Sequence, residues 1–167
     1  MEKNLHKEEA LKKFRELVKD IRVCMFITND RKKDHTRPMY TMEADENGTL
    51  WFFTDIRSIK VDDVSQEHSV HLVYAHPGKE SYLDVWAQAN IVRDRKQVED
   101  KWSSIVKAWF PKGVDDPNLA LLQVRPNDVY YWDAESGRMV SFLKIAASAV
   151  TGKKLSEGAE GKLKVQS

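Results

Sequence analysis

The chain has 167 residues, 41% of them hydrophobic, and a single cysteine, Cys24. This length suits one domain with its own core, and a lone cysteine excludes an intramolecular disulfide. Lysine and arginine total 27 against 26 acidic residues, and a net charge of +1 excludes a general attraction to nucleic acid. The charged residues 1–14 lack the apolar segment of a secretion signal, and no apolar run approaches the roughly 20 residues of a membrane span. We expect a cytoplasmic protein that binds neither nucleic acid nor membranes.

The first predicted element is an amphipathic helix. Leu11, Phe14, Val18 and Ile21 recur at spacings of three and four residues among lysines and glutamates, which places them on one helix face. The following segment, 22–29, is short, apolar and bounded by a polar turn, and this is typical of a buried strand.

Four strands and a helix are predicted in the next part of the chain. Segments 35–45 and 49–54 are joined by the turn signal ENG, and Pro38 places the first of them at a sheet edge. A helix follows, with Ser58 as its candidate N-cap. Two long strands joined by the turn PGKE then occupy residues 69–94.

The last third of the chain continues the mixture of helix and strand. Residues 96–110 have helical spacing, 119–126 and 128–136 are read as two strands, and 140–150 as a closing helix. We expect one domain over residues 1–152 and a loosely ordered tail over 153–167, where glycine, lysine, glutamate and serine dominate. Many evenly spaced strands with a few helices indicate a mainly β (α+β) fold, a closed or nearly closed antiparallel barrel flanked by helices.

An anion site is predicted from four side chains. The glycine-rich phosphate loops of nucleotide-binding proteins are missing, so a phosphate must be held by side chains and a helix start. Arg37 leads one strand, Thr54 ends the strand that we expect to form a hairpin with it, and a helix begins near Ser58 and Lys60. These residues supply a planar guanidinium, hydroxyls, an ammonium and free helix N–H groups. The alternative is ordinary: a solvated arginine, a capping serine and a surface lysine.

No metal site and no catalytic nucleophile are expected. The histidines between residues 68 and 76 lack cysteine or clustered carboxylate companions, and Cys24 has no evident histidine partner. No residue is identified as catalytic. Trp109 and Trp132 fall at element ends, where they can stack on a planar ring. An anion site beside aromatic side chains favours a phosphorylated ring cofactor.

Four segments carry a resemblance to a known family. The order TRPMYTM, GTLWFFTDIRSIK and VHLVYAHPGKESYLDVWAQANIVRD resembles the FMN-binding split-barrel family related to pyridoxamine 5′-phosphate oxidase. The run KAWFPKGVDDPNLALLQVRPNDVYYWD is similar to its general stress protein 26 branch. The resemblance covers about residues 8–152. It implies a six-stranded antiparallel split β-barrel that works as a homodimer, with FMN, or FAD as the alternative, held between the two subunits.

The resemblance also implies which residues contact the flavin phosphate. Arg37 and Lys60 are expected to bind it, with Ser58 close by. Phe53 and Thr54 are expected at the ribityl-phosphate end of the cofactor.

The ring system is expected to have a second set of contacts. Met39, Tyr40 and Thr41 border the isoalloxazine through their backbone in this family pattern. Trp132 occupies the place of a tryptophan that approaches the flavin from the partner subunit, and Trp109 is a second aromatic contact.

The sequence departs from the oxidase in places that bear on its activity. Tyr82 stands where the oxidase has a glutamine that reaches the flavin, and the closing substrate motif of the oxidase is not reproduced after Trp132. Oxidation of pyridoxamine phosphate is therefore not predicted. Two functions are carried forward: a flavin-dependent oxidoreductase of unknown substrate, and a protein that binds or senses flavin or another planar cofactor without catalysis.

Overall fold

The computed structural model of the chain describes residues 7–133 and 159–163. The predicted closing helix, 140–150, lies outside the described residues, as does most of the predicted tail. Among the residues described, no helix is long and apolar enough to cross a membrane.

The N-terminal helix forms as its spacing predicts. It is α1 (Lys7–Ile21), with Phe14 and Val18 fully buried on its inner face. The helix ends at Arg22, whose φ of 64° lies in the left-handed region and turns the chain towards the first strand. The Arg22 N–H donates to the Val18 carbonyl at 2.8 Å, which closes the last turn.

The rest of the described chain is mainly β with two further helices, α2 (Ile59–Gln66) and α3 (Arg95–Lys101). The strands are β1 (Val23–Asn29), β2 (Asp34–Tyr40), β3 (Glu43–Ala44), β4 (Leu50–Asp55), β5 (Ser69–His76), β6 (Ser81–Val92), β7 (Leu119–Asp133) and β8 (Ala159–Leu163). They form one antiparallel sheet in the order β2-β1-β5-β6-β7-β4-β3, and β8 also pairs with β7. The predicted mainly β fold with flanking helices is confirmed.

The predicted number of six strands is wrong, because seven strands follow one another in the sheet and β8 adds to β7. β3 has two residues, too few for a periodic pattern, and β8 lies in the segment expected to be a loose tail. β7 was expected as two strands separated at Pro126. Instead, the pairing with β6 shifts between Trp86 and Ala87, opposite Asp128 and Pro126. A bulge at Asn127 therefore accommodates the proline within one strand.

The expected hairpin between the Arg37 strand and the Thr54 strand is also wrong. β2 pairs with β1, with Arg37 opposite Phe26, whereas β4 pairs with β3 and β7. The ENG turn joins β3 to β4, and Gly48 adopts a φ of 81° within it. Only glycine takes this conformation without steric cost.

The core lies inside the curled sheet. Phe26 of β1 and Phe52 of β4 are fully buried, and their rings meet edge to face with centroids 5.3 Å apart. The buried hydroxyl groups of Tyr74 and Thr41 hydrogen bond to each other at 2.6 Å. Polar groups in the core are thus paired, as burial requires.

The two edges of the sheet meet at one point. After β2, the Thr41 N–H donates to the Arg22 carbonyl, and the next residue, Met42, donates its N–H to the Trp51 carbonyl of β4. The Arg22 guanidinium donates to the carbonyls of both Thr41 and Met42. On the other side of this crossing, β2 and β4 share no ladder pairs. The barrel is therefore closed at Thr41–Met42 and split along the rest of β2.

One outer face of the sheet carries large apolar side chains. We call the following set the outer face: Val23, Met25, Tyr82, Trp86, Tyr130 and Trp132. Each is at least 36% exposed. They lie on β1, β6 and β7, and the half-buried Val73 of β5 continues the set because it is opposite Met25. His71, also on β5, stacks on Trp86 with ring centroids 3.8 Å apart and bonds to Asp84.

Candidate functional site

The split between β2 and β4 forms a cleft of about 390 Å³. We call it the cleft, and its lining residues are Arg37, Pro38, Met39, Tyr40, Met42, Phe53, Thr54, Asp55, Lys60, Val106, Trp109 and Phe110. Its volume falls within the range of about 300–1,000 Å³ that is usual for ligand sites. The barrel closure at Thr41–Met42 marks one end of the cleft, and the start of α2 marks the other.

Arg37 enters the cleft from the edge strand β2. Its side chain is half-buried, and Nη1 donates to the Phe26 carbonyl at 3.2 Å and to the Thr28 hydroxyl at 2.8 Å. Both acceptors are uncharged groups of β1. The guanidinium is thus anchored on one side by the barrel wall, and no acidic side chain in the described part of the chain forms a direct ion pair with it.

Lys60 reaches the same end of the cleft from the first turn of α2. Its ammonium donates to the Ser58 hydroxyl at 3.2 Å, and the hydroxyl groups of Ser58 and Thr54 lie 3.5 Å apart. Ser58 is the N-cap of α2, but its side chain makes no capping hydrogen bond to the helix backbone. Two hydroxyls and an ammonium therefore gather where β4 leads into α2.

The charges at this end are poorly compensated. Burial lowers the pKa of Lys60, and the nearby Arg37 cation lowers it further, with Asp55 acting in the opposite direction. Burial also lowers the pKa of Arg37, which Asp63 partly offsets. Asp55 is the acidic residue of the cleft lining, but Arg57 binds both of its carboxylate oxygens, at 3.0 and 2.7 Å. Arg37 and Lys60 repel each other in the cleft, and a bound anion offsets this repulsion.

The remaining wall of the cleft is apolar. Met39 and Phe53 lie on the flanking strands, and Val106 and Phe110 come from the segment that follows α3. Trp109 is 65% exposed although it belongs to this wall, so most of its indole surface is free to cover a ligand. An apolar slot with two cations at one end suits a ligand with a planar ring system and an anionic tail.

A larger groove, of about 610 Å³, lies between α1 and β3 but is a weaker candidate. Its acidic and basic side chains are mixed, and Arg15 and Arg22 donate to backbone carbonyls of Ala44, Thr41 and Met42. Its cations therefore already serve the fold. In the described part of the chain, no three His, Cys, Asp or Glu side chains are grouped so that they could hold a metal ion.

A family comparison identifies the chain. The sequence family described as pyridoxamine 5′-phosphate oxidase-like matches residues 9–156. The chain belongs to this family. Two of its relatives carry the name general stress protein 26, the branch that the resemblance predicted.

Three relatives of the chain show which architecture it shares. General stress protein 26 of Bacillus subtilis is 24% identical over 140 residues, which cover 82% of this chain and 98% of the relative. The structure of a general stress protein 26 from Jannaschia sp. CCS1 has a TM-score of 0.70 at 23% identity and covers 92% of this chain and 97% of that one. The general stress FMN/FAD binding protein of Xanthomonas citri has a TM-score of 0.68 at 28% identity and covers 77% and 92%. The FMN-binding type of split barrel is thereby confirmed as the architecture.

Most of the residues predicted to contact a cofactor lie together in the cleft. Seven line the cleft: Arg37, Met39, Tyr40, Phe53, Thr54, Lys60 and Trp109. Ser58 lines an adjoining pocket of about 420 Å³ that also includes Arg37 and Lys60. Thr41 is fully buried and does not line the cleft: its hydroxyl bonds to Tyr74, and its N–H and carbonyl bond to Arg22.

Tyr82 and Trp132 lie away from the cleft of their own chain. They face each other across β6 and β7, both on the outer face. Leu121, near the other end of β7, is the residue opposite Phe53 in the cleft wall. The length of strand between Leu121 and Trp132 is about 35 Å at the usual rise per residue.

Several cleft residues were not predicted from the sequence. Val106 and Phe110 had been assigned to a helix over 96–110, whereas α3 ends at Lys101 and a 3₁₀ segment, Ser104–Ala108, follows. This change of helix type directs them to the cleft, and no periodic signal marks it. Pro38 and Met42 lie next to predicted residues in the sequence, and this proximity was the signal that could have identified them.

Proposed function

We propose that this chain is a flavin-binding protein that holds FMN in the cleft, with the phosphate between Arg37 and Lys60. The observation that carries the proposal is the pair of cations at the end of an apolar slot, whose hydrogen bonds within the described residues go to uncharged groups. The Xanthomonas citri relative is named a general stress FMN/FAD binding protein, which supports a flavin as the ligand. FAD remains the alternative cofactor.

The side chains of the cleft fit the parts of this ligand. Nε and Nη2 of Arg37, the Lys60 ammonium and the hydroxyls of Ser58 and Thr54 are the donors for the phosphate oxygens. Met39 and Tyr40 border the ring system, and Trp109 covers it. A bound flavin supplies one- and two-electron redox chemistry, while the protein orients it and excludes water.

We propose further that two copies of the chain associate through the outer face. Its exposed apolar side chains are too many for a surface in contact with water alone. Trp132 and Tyr82 lie on this face, far from the cleft of their own chain, so they can contact a flavin only in a partner subunit. This agrees with the family pattern, in which the flavin lies between two subunits.

We propose an FMN-dependent oxidoreductase activity with an unidentified substrate, within the stress response that the names of the relatives suggest. One observation favours a second candidate, a binding or sensor protein without turnover. The carboxyl group in the cleft lining, Asp55, is held by Arg57 with its pKa lowered to about 2, so it is not available as a proton donor near neutral pH. Location in the cytoplasm and absence of nucleic-acid binding remain predictions.

The experiment that tests the proposal is an absorption spectrum of the freshly purified protein, followed by mass identification of the compound that heating releases. We expect a flavin band and FMN in the supernatant. A colourless protein that fails to bind added FMN or FAD refutes the flavin proposal. Anaerobic reduction by NADH or NADPH, followed by reoxidation with a range of acceptors, separates the two candidates. Bound flavin that no donor reduces favours the sensor.

A further inference from the structure

A buried chain of hydrogen bonds lies directly behind the phosphate end of the cleft. Nη1 of Arg37 donates to the Thr28 hydroxyl at 2.8 Å, and this hydroxyl donates to the Asp63 carboxylate at 2.6 Å. His35 bonds to the same carboxylate oxygen through Nδ1 at 2.7 Å. Thr28 is 1% exposed and Asp63 is 3% exposed, so water does not compete for these bonds.

The direction of each bond in this chain is fixed by the chemistry of its members. Arginine only donates and an ionised carboxylate only accepts, so the Thr28 hydroxyl must accept from Arg37 and donate to Asp63. The single hydrogen of the Thr28 hydroxyl is therefore used in the hydrogen bond to Asp63. Among the described residues, the hydrogen bonds of Arg37 engage Nη1 alone, which leaves Nε and Nη2 for a ligand.

This series of hydrogen bonds also connects the strand and the helix that carry the two cations. Thr28 lies on β1, opposite His35 in the ladder with β2, and Arg37 follows His35 on β2. Asp63 lies on α2, about one turn after Lys60. The Asp63 carboxylate therefore joins the helix of Lys60 to β1 through Thr28 and to β2, the strand of Arg37, through His35.

We propose that Thr28 and Asp63 are positioning residues that hold Arg37 in its phosphate-binding orientation, so that the cleft distinguishes phosphorylated flavin from riboflavin. This rests on the proposed flavin function. An arginine fixed before the ligand arrives loses less side-chain freedom on binding, and this gain appears only for ligands that carry the phosphate. Asp63 also partly offsets the lowering of the Arg37 pKa by burial.

The test compares Thr28→Val with Thr28→Ser. Valine has nearly the shape of threonine but lacks the hydroxyl, whereas serine keeps it. Dissociation constants for FMN and riboflavin are measured by quenching of flavin fluorescence. We expect Thr28→Val to weaken FMN binding about tenfold, because the freed Arg37 side chain must then be immobilised on binding, with riboflavin binding unchanged. Thr28→Ser is expected to bind both ligands as the wild type does.

A double-mutant cycle with Arg37→Ala shows whether Thr28 acts through Arg37. In the Arg37→Ala background, Thr28→Val is expected to have no further effect on FMN affinity. If Thr28→Val does not fold, Thr28→Ala against Thr28→Ser makes the same comparison, since these two residues differ by one hydroxyl.

Three results overturn the inference. Equal weakening of FMN and riboflavin assigns Thr28 a structural role, and unchanged FMN affinity in Thr28→Val or Thr28→Ala assigns it none. An undiminished effect in the Arg37→Ala background means that Thr28 does not act through Arg37. In each of these cases the wild type still binds FMN, so the proposed function stands. A wild type that binds neither flavin refutes the proposed function itself.

Discussion

Replacing both Arg37 and Lys60 by alanine removes the two cations of the cleft and should abolish FMN binding at micromolar concentrations. Each cation offers the phosphate a charge-assisted hydrogen bond, and such bonds contribute about 1.5–3 kcal/mol each. Because both side chains are partly buried, solvent weakens these bonds less than it does at an exposed site. The two together contribute about 3–6 kcal/mol, which corresponds to a loss of affinity of roughly 10²–10⁴-fold.

The same double variant should keep its fold. Arg37 loses two hydrogen bonds to β1, but the mutual repulsion with Lys60 disappears with them. These effects oppose each other, and we expect the free energy of unfolding to change by less than about 1 kcal/mol. The measurements are a fluorescence titration with FMN and a urea unfolding curve without ligand.

A matched control is available in the turn before β2. Lys32→Ala with Lys33→Ala removes the same two charges from exposed positions that do not line the cleft. FMN affinity should be unchanged in this control. Wild-type affinity in the Arg37 and Lys60 double variant, or an equal loss in the control, refutes the location of the phosphate site.

Three further predictions follow from the charges and the outer face. Burial and Arg37 lower the pKa of Lys60, so FMN affinity measured by calorimetry should fall as pH rises towards 10.5. Lys60→Arg should remove this fall, and identical pH profiles of FMN affinity in the variant and the wild type contradict the prediction. Trp86→Asp places a charge in the outer face and should yield a monomer by light scattering, whereas a monomeric wild type refutes the dimer. The pKa of Asp55 is about 2, below its ordinary 3.8, so its pair with Arg57 stabilises the fold above about pH 4 and this is lost as pH falls through about 2. In Asp55→Asn, the urea concentration at the midpoint of unfolding should depend less on pH between about 2 and 4, and an unaltered dependence contradicts the prediction.

The grouping of hydroxyl and cationic side chains at one end of the cleft was partly predictable from sequence. Thr54, Ser58 and Lys60 follow one another within seven positions, so a strand end and a helix start must bring them together. Arg37 was assigned to the same place through a hairpin that does not form. It reaches the cleft because the chain crosses from one sheet edge to the other at Thr41–Met42, a long-range event that leaves no local pattern.

The apolar wall and the support behind Arg37 could not be predicted. Val106 and Phe110 have helical spacing, which is equally consistent with a core helix. Thr28 and Asp63 are 35 positions apart, and each belongs to an element whose periodicity concerns only its apolar residues. Their contact depends on how α2 packs on β1, which the pattern of a single sequence does not determine.

The backbone closure at Thr41–Met42 has a consequence for protein engineering. It is made by main-chain N–H and carbonyl groups and by Arg22, none of which depends on the side chains of the apolar wall. Substitutions at Met39, Phe53 and Trp109 leave these closing hydrogen bonds in place. A library at these three positions keeps Arg37 and Lys60 while the shape of the slot changes, which makes this chain a scaffold for selecting binders of new ligands.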